Sequence, residues 1–194
     1  MKALVIYESM FGNTEKVARA IADGLRGTFD VTVAEVGTMP RAFGMDLLVI
    51  GGPTHAFGMS RPSTREQAAQ QGTVRPDAAE VGVREYLDCS ARLTGISAAA
   101  FDTKIHKPFL PGSAAHRIQR HLRRLGCRIA VPARSFLVIG TDGPLEADEE
   151  TNARQWGAAL ASTVIAANTR FDGGRAGPPA SPTRCHRRTG ENSS

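Results

Sequence analysis

The segment Lys2-Ala3-Leu4-Val5-Ile6-Tyr7-Glu8-Ser9-Met10-Phe11-Gly12-Asn13-Thr14 decides the fold. Residues 2–7 form a short apolar run of the kind buried on both faces of a parallel sheet. From Asn13 onward the period changes: Val17, Ala20, Ile21 and Leu25 recur on one helical face. Asn13 or Thr14 is available as N-cap, and Glu15 stands in the first turn. A buried strand that enters an amphipathic helix through a small polar turn opens a strand–helix–strand unit.

The same grammar continues outward. Residues 46–51 (DLLVIG) and 96–101 (ISAAAF) repeat the buried-strand pattern, and residues 30–35 (DVTVAE) alternate as an edge-like strand. Residues 129–139 (IAVPARSFLVI) read as a long, bent last strand interrupted by Pro132. Helices are expected at 13–26, 81–92, 113–125 with Ser113 as cap, and 147–167, with only a weak helix between the second and third strands. Right-handed crossovers then give a doubly wound α/β fold. It is a five-stranded parallel sheet in the order 2-1-3-4-5, inside a three-layer α/β/α sandwich. In that topology a ligand sits beyond the carboxyl ends of the strands, so the segments after residues 7, 51, 101 and 139 are the ones to examine. Residues 58–80 make a long connection, with a helical turn or two at 63–70, that overhangs this edge. One domain is expected over residues 1–168, followed by a disordered, basic, Pro/Gly-rich tail at 169–194.

The charge sits mostly in that tail. Of a net +5, residues 170–194 contribute five Arg against Asp172 and Glu191. A nearly balanced body without an aromatic-interleaved basic surface argues against nucleic-acid binding. Cys89, Cys127 and Cys185 are widely spaced and suggest neither a disulfide framework nor a metal site. No stretch is long and apolar enough to span a membrane, and the first residues do not form a signal peptide, so the cytoplasm is the expected location.

The turn Ser9-Met10-Phe11-Gly12-Asn13-Thr14 has the composition of a phosphate cradle. The free amides and dipole of a helix start, with short hydroxyl and amide side chains, supply several donors at one point. Gly12 lets the chain curl closely around a ligand. The turn holds no Lys or Arg, so hydrogen bonds would carry the anion. The same cluster also suits an ordinary capped helix start. No Walker-type Lys, no Gly-x-Gly-x-x-Gly and no nucleophile-elbow serine is present, which disfavours ATPase, dinucleotide-binding and hydrolase readings.

Tyr7-Glu8-Ser9-Met10-Phe11-Gly12-Asn13-Thr14 resembles the FMN-phosphate loop of flavodoxins and flavodoxin-like quinone reductases. A second loop, Gly51-Gly52-Pro53-Thr54-His55-Ala56-Phe57-Gly58-Met59, is similar to the family's other flavin contact. The resemblance implies FMN as cofactor. It puts Ser9 to Thr14 on the phosphate, Pro53, Thr54, His55, Ala56, Phe57 and Gly58 along the ribityl chain and ring, and Asp102 and Thr103 at the dimethylbenzene or the pyrimidine side of the ring. Two departures stand out. Phe11 replaces the usual Thr or Ser, and no Trp or Tyr flanks the ring, so His55 and Phe57 would stand in. His106, in the loop expected after Phe101, resembles a His of the quinone reductases and is the one catalytic candidate, against the alternative of an exposed loop residue.

Arg61 and Arg65 in the long connection are candidates for reaching a cofactor phosphate or an anionic substrate. His116, Arg117, Arg120, His121, Arg123 and Arg124 make either a solvated helix face or a docking surface for an acidic partner. Three functions follow from the resemblance. The first is an FMN redox protein carrying electrons between a reductase and a partner protein. The second is an FMN-dependent oxidoreductase using NAD(P)H and a quinone-like acceptor. The third is a flavodoxin-shaped binding domain without redox activity.

Overall fold

The computed structural model describes residues 1–55, 58–71, 81–105 and 112–172. Six strands and five α-helices alternate along them: β1 (Lys2–Tyr7), α1 (Asn13–Leu25), β2 (Asp30–Glu35), β3 (Leu47–Pro53), α2 (Pro62–Gln71), α3 (Val83–Cys89), β4 (Ser97–Ile105), α4 (Ala114–Arg124), β5 (Arg128–Ile129), β6 (Arg134–Val138) and α5 (Glu149–Asp172). All pairings between these strands are parallel. The sheet runs β2-β1-β3-β4-β5, with β6 continuing the β5 lane against β4. This is the expected flavodoxin-like order in five lanes. The last lane is split because residues 131–133, with Pro132, leave the ladder after the Ala130 amide makes its bond to the Ala98 carbonyl at 2.9 Å.

Two apolar cores cover the two faces of the sheet, as the period of 2 along each strand requires. Ala3, Val5, Tyr7, Leu47, Val49, Ala99 and Phe101 face α1 and α5. Leu4, Ile6, Leu48, Ile50, Ala98 and Ala100 face α3 and α4. The helices α1 and α5 touch backbone to backbone: a Cβ on Gly24 would collide with the Arg154 carbonyl, and one on Gly157 with the Ile21 carbonyl. Phe101, Phe136 and Trp156 stack edge to face at 6.3 and 6.2 Å, tying β4, β6 and α5 together.

Several boundaries differ from the expectation. The connection from β2 to β3 holds only a 3₁₀ turn at Val36–Thr38. The helix α3 is shorter than 81–92, ending where Ser90 turns extended. The strand β4 continues four residues past Phe101, because Gly52 and Pro53 of β3 and then β6 keep pairing with it. The helix α5 runs to Asp172 instead of 167, past the expected domain boundary at 168. Asn168 accepts a hydrogen bond from the Arg128 guanidinium at 2.9 Å, which docks this end of the helix. The rest of the expected tail, residues 173–194, lies outside the described residues. No described helix is long and apolar enough to cross a membrane.

Candidate functional site

The chain leaves β1 into the turn that begins α1, and Gly12 is the N-cap, at φ +86° and ψ −13°. That left-handed conformation suits glycine. Neither Asn13 nor Thr14 caps the helix as expected, because both side chains are committed to segments distant in sequence. Asn13 Nδ2 donates to the Asp142 carbonyl at 3.0 Å, and the amide lies so close to Gly143 that a Cβ there would sit 2.5 Å from Nδ2. Thr14 Oγ1 lies 2.8 Å from Thr103 Oγ1. Ser9 Oγ accepts from the Glu15 amide at 3.3 Å. The backbone amides of Gly12, Asn13 and Thr14 have no partner among the described residues. A helix start with free amides carries a partial positive charge and favours an anion.

The loop after β3 begins with the Thr54 amide donating to the Thr103 carbonyl at 2.9 Å. The Thr54 hydroxyl donates to Asp102 Oδ2 at 2.9 Å and accepts from the Ala114 amide at 2.9 Å. Asp102 Oδ2 also accepts from Ser113 Oγ at 2.6 Å and from the Ala115 amide at 3.0 Å, while Ser113 Oγ accepts from His116. One buried carboxylate thus fixes both the second loop and the start of α4. Asp102, expected beside a cofactor, is fully buried and does not line the cleft. The reason is the continuation of β4, whose alternation turns Asp102 toward α4 and Thr103 toward α1.

His55 and Gly58 exchange backbone hydrogen bonds at 2.8 and 2.7 Å as an antiparallel bridge, and Ala56 and Phe57 lie outside the described residues. His106 lies outside them as well. The half-buried His55 ring has no partner for Nε2 among the described residues. Desolvation, and then the nearby Arg65 charge, push its pKa below the ordinary value of 6.5, so the ring is neutral at pH 7.

These segments meet in one cleft with about 490 Å³ of open space at the carboxyl ends of β1, β3, β4 and β6. The first turn contributes Ser9, Met10, Phe11, Asn13 and Thr14, and the second loop contributes Pro53, Thr54 and His55. Thr103, Lys104 and Ile105 come from β4, and Val138 and Thr141 from the end of β6. Gly12 shapes the turn without lining the cleft, and Gly58 borders a neighbouring pocket. Lys104, Ile105, Val138 and Thr141 are not among the site residues expected from the sequence. Their signal lies in the pairing of Ile105 with Val138, which depends on how far β4 extends. Among the described residues no carboxylate lines the cleft.

Beneath the first turn lies a buried polar cluster. Glu8 Oε2 accepts from the Val83 amide at 2.8 Å, and burial pushes the Glu8 carboxyl above its usual range. Arg65, expected with Arg61 as a candidate for an anionic ligand, is fully buried. It donates to Ser60 Oγ at 3.0 Å and pairs with Glu85 at 3.1 Å. Its role is to hold α2 against α3, while Arg61 remains exposed.

Residues 5–86 match the family model described as Flavodoxin. Among solved structures, a Bacillus cereus flavodoxin 2 superposes with a TM-score of 0.61 at 19% identity, covering 84% of this chain and 99% of its own. The oxidised flavodoxin 1 of Bacillus cereus gives a TM-score of 0.59 at 22% identity, covering 84% and 98%. A flavodoxin from the domain Archaea gives 0.59 at 20%, covering 85% and 99%. A search of curated proteins finds no match.

Proposed function

We propose, for a chain that is flavodoxin-like in fold and matches the flavodoxin family over residues 5–86, that the cleft binds FMN and that the protein carries electrons between a reductase and a partner protein. The observation that carries this reading is the set of free amides at Gly12, Asn13 and Thr14, in a turn whose Asn13 and Thr14 line the cleft at the β1/β3 switch point where this topology places ligands. The donor set fits a phosphate: backbone amides, hydroxyls, a helix dipole, and no carboxylate among the described lining residues. The Thr14 hydroxyl can donate to the phosphate while accepting from Thr103. Asp102 holds Thr54 in place beside the ring, and neutral His55 offers a polar edge without a charge.

When bound, FMN accepts and returns one or two electrons, and the protein tunes those steps through what surrounds the ring. Lys104 supplies a positive charge to a cleft without lining carboxylates, which favours negative charge gained there. That same observation favours a second reading, an oxidoreductase that takes electrons in pairs from NAD(P)H and passes them to a quinone-like acceptor. The free thiols of Cys89 and Cys127 accord with a cytoplasmic setting.

Purified protein should show the absorption bands of bound flavin or take up added FMN at one site per chain. A colourless protein that refuses FMN defeats both redox readings and leaves a binding domain. Rapid oxidation of NAD(P)H with a quinone, absent without it, selects the second reading over the first.

A further inference from the structure

Beside the cleft, on the α2 side, lies a second pocket with about 420 Å³ of open space. Arg61 reaches it from the connection before α2, Arg84 from α3 and Arg117 from α4. Ser63 and Thr64, in the first turn of α2, complete its wall. His55 lines both the cleft and this pocket, so the two sites adjoin through one side chain.

Two features show why three arginines from separate elements converge there. The Arg117 side chain lies against Gly58 so tightly that a Cβ would sit 2.5 Å from Nε and 2.7 Å from Cδ. Arg84 is oriented by the carbonyls of Ser60 and Met59, at 3.2 and 3.3 Å. These are neutral partners and leave its charge in place. Among the described residues, no carboxylate pairs with Arg61, Arg84 or Arg117. Elsewhere this chain does pair its arginines: Arg19 with Glu15, and Arg65 with Glu85. Three like charges held together cost Coulomb energy, which a bound anion would offset.

We infer that this pocket binds a phosphoryl group of the small molecule that exchanges electrons with the flavin in the adjoining cleft. For its electron-transfer half only, the inference rests on the second reading above, in which a small molecule exchanges electrons with bound FMN. Three cations suit a phosphate dianion or a pyrophosphate better than a single carboxylate, and guanidinium forks match phosphoryl oxygens in pairs. The Ser63 hydroxyl adds a neutral donor, Thr64 exchanges hydrogen bonds with the Arg61 backbone and so fixes that residue beside the pocket, and the start of α2 adds its dipole.

The test uses flavin-loaded protein titrated with inorganic pyrophosphate by calorimetry, and then NADPH in competition with pyrophosphate. The comparison is between wild type, R61A/R117A and R120A. Arg120 is an exposed arginine of the same helix that does not line the pocket, and Arg61 and Arg117 are exposed, so none of these changes opens the core. The expected result is saturable binding at one site, weakened about tenfold or more in R61A/R117A and unchanged in R120A, with pyrophosphate displacing NADPH. Absence of saturable binding, or equal weakening by R120A, overturns the inference. So does pyrophosphate binding that survives in R61A/R117A but is lost in T14V, which would put the anion at the start of α1. Failure of the protein to take up FMN would defeat the flavin reading alone, since the R61A/R117A comparison can still be made on flavin-free protein.

Discussion

Thr14 Oγ1 lies 2.8 Å from Thr103 Oγ1, and both residues are buried. The first turn of α1 and the outer end of β4 are therefore joined by one hydroxyl pair at the base of the cleft. A hydroxyl can donate once and accept twice, so Thr14 can serve Thr103 and an anion together. Thr14→Val should weaken FMN binding about tenfold, and Thr14→Ser should restore most of the loss. Fluorescence-quenching titrations of the two variants measure this, and equal affinities for wild type and T14V would separate Thr14 from the phosphate.

Lys104 is the cation of the cleft lining and faces no lining carboxylate among the described residues. Lys104→Gln should lower the reduction potential of the bound flavin by roughly 30–60 mV per electron, because it removes a charge that favours the reduced state. Spectroelectrochemical titration at low salt reads the shift, and a rise in potential would contradict the electrostatic role.

Asp102 accepts three hydrogen bonds through one oxygen and binds no described cation. Asp102→Ala should destabilise the fold by about 2–4 kcal/mol, since it strands Ser113, Thr54 and the Ala115 amide in the interior. Urea unfolding monitored by circular dichroism gives the value. A loss below about 1 kcal/mol would show that the start of α4 is held by other means.

Burial raises the Glu8 pKa above 4.5, so the folded state holds this proton more tightly than the unfolded chain does. The stability linked to Glu8 is therefore fully present below pH 4.5 and lost as pH rises through its raised value. Glu8→Gln cannot titrate. The stability of E8Q relative to wild type should climb from pH 4.5 toward neutrality, in unfolding curves recorded without added flavin. Parallel pH profiles would contradict this.

The legible parts of the molecule were those set by local pattern. Runs such as residues 2–7 and 46–51 are buried on both faces and admit one place in a parallel sheet, and the spacing of Val17, Ala20, Ile21 and Leu25 defines the α1 face. Ser113 caps α4 as its position suggested. What escaped was decided by partners far along the chain. Asn13 has the chemistry of a cap but is drawn to Asp142, and Gly12 takes the cap position in its stead. Asp102 to Ile105 are largely polar and read as a loop, yet pairing with β3 and β6 keeps them in the sheet. That extension buries Asp102 and brings Lys104 and Ile105 into the cleft. In sequence Arg61 and Arg65 are alike as loop arginines, and only the contacts with Glu85 and Ser60 set Arg65 apart.

In the proposed function the free amides of the Gly12–Thr14 turn hold the phosphate of FMN. Titrating flavin-free protein with FMN and with riboflavin, which lacks only the phosphate, tests it most directly. FMN should bind at least about a hundredfold more tightly than riboflavin, the worth of two charge-assisted hydrogen bonds. Equal affinity for the two flavins, or binding of neither, would contradict it.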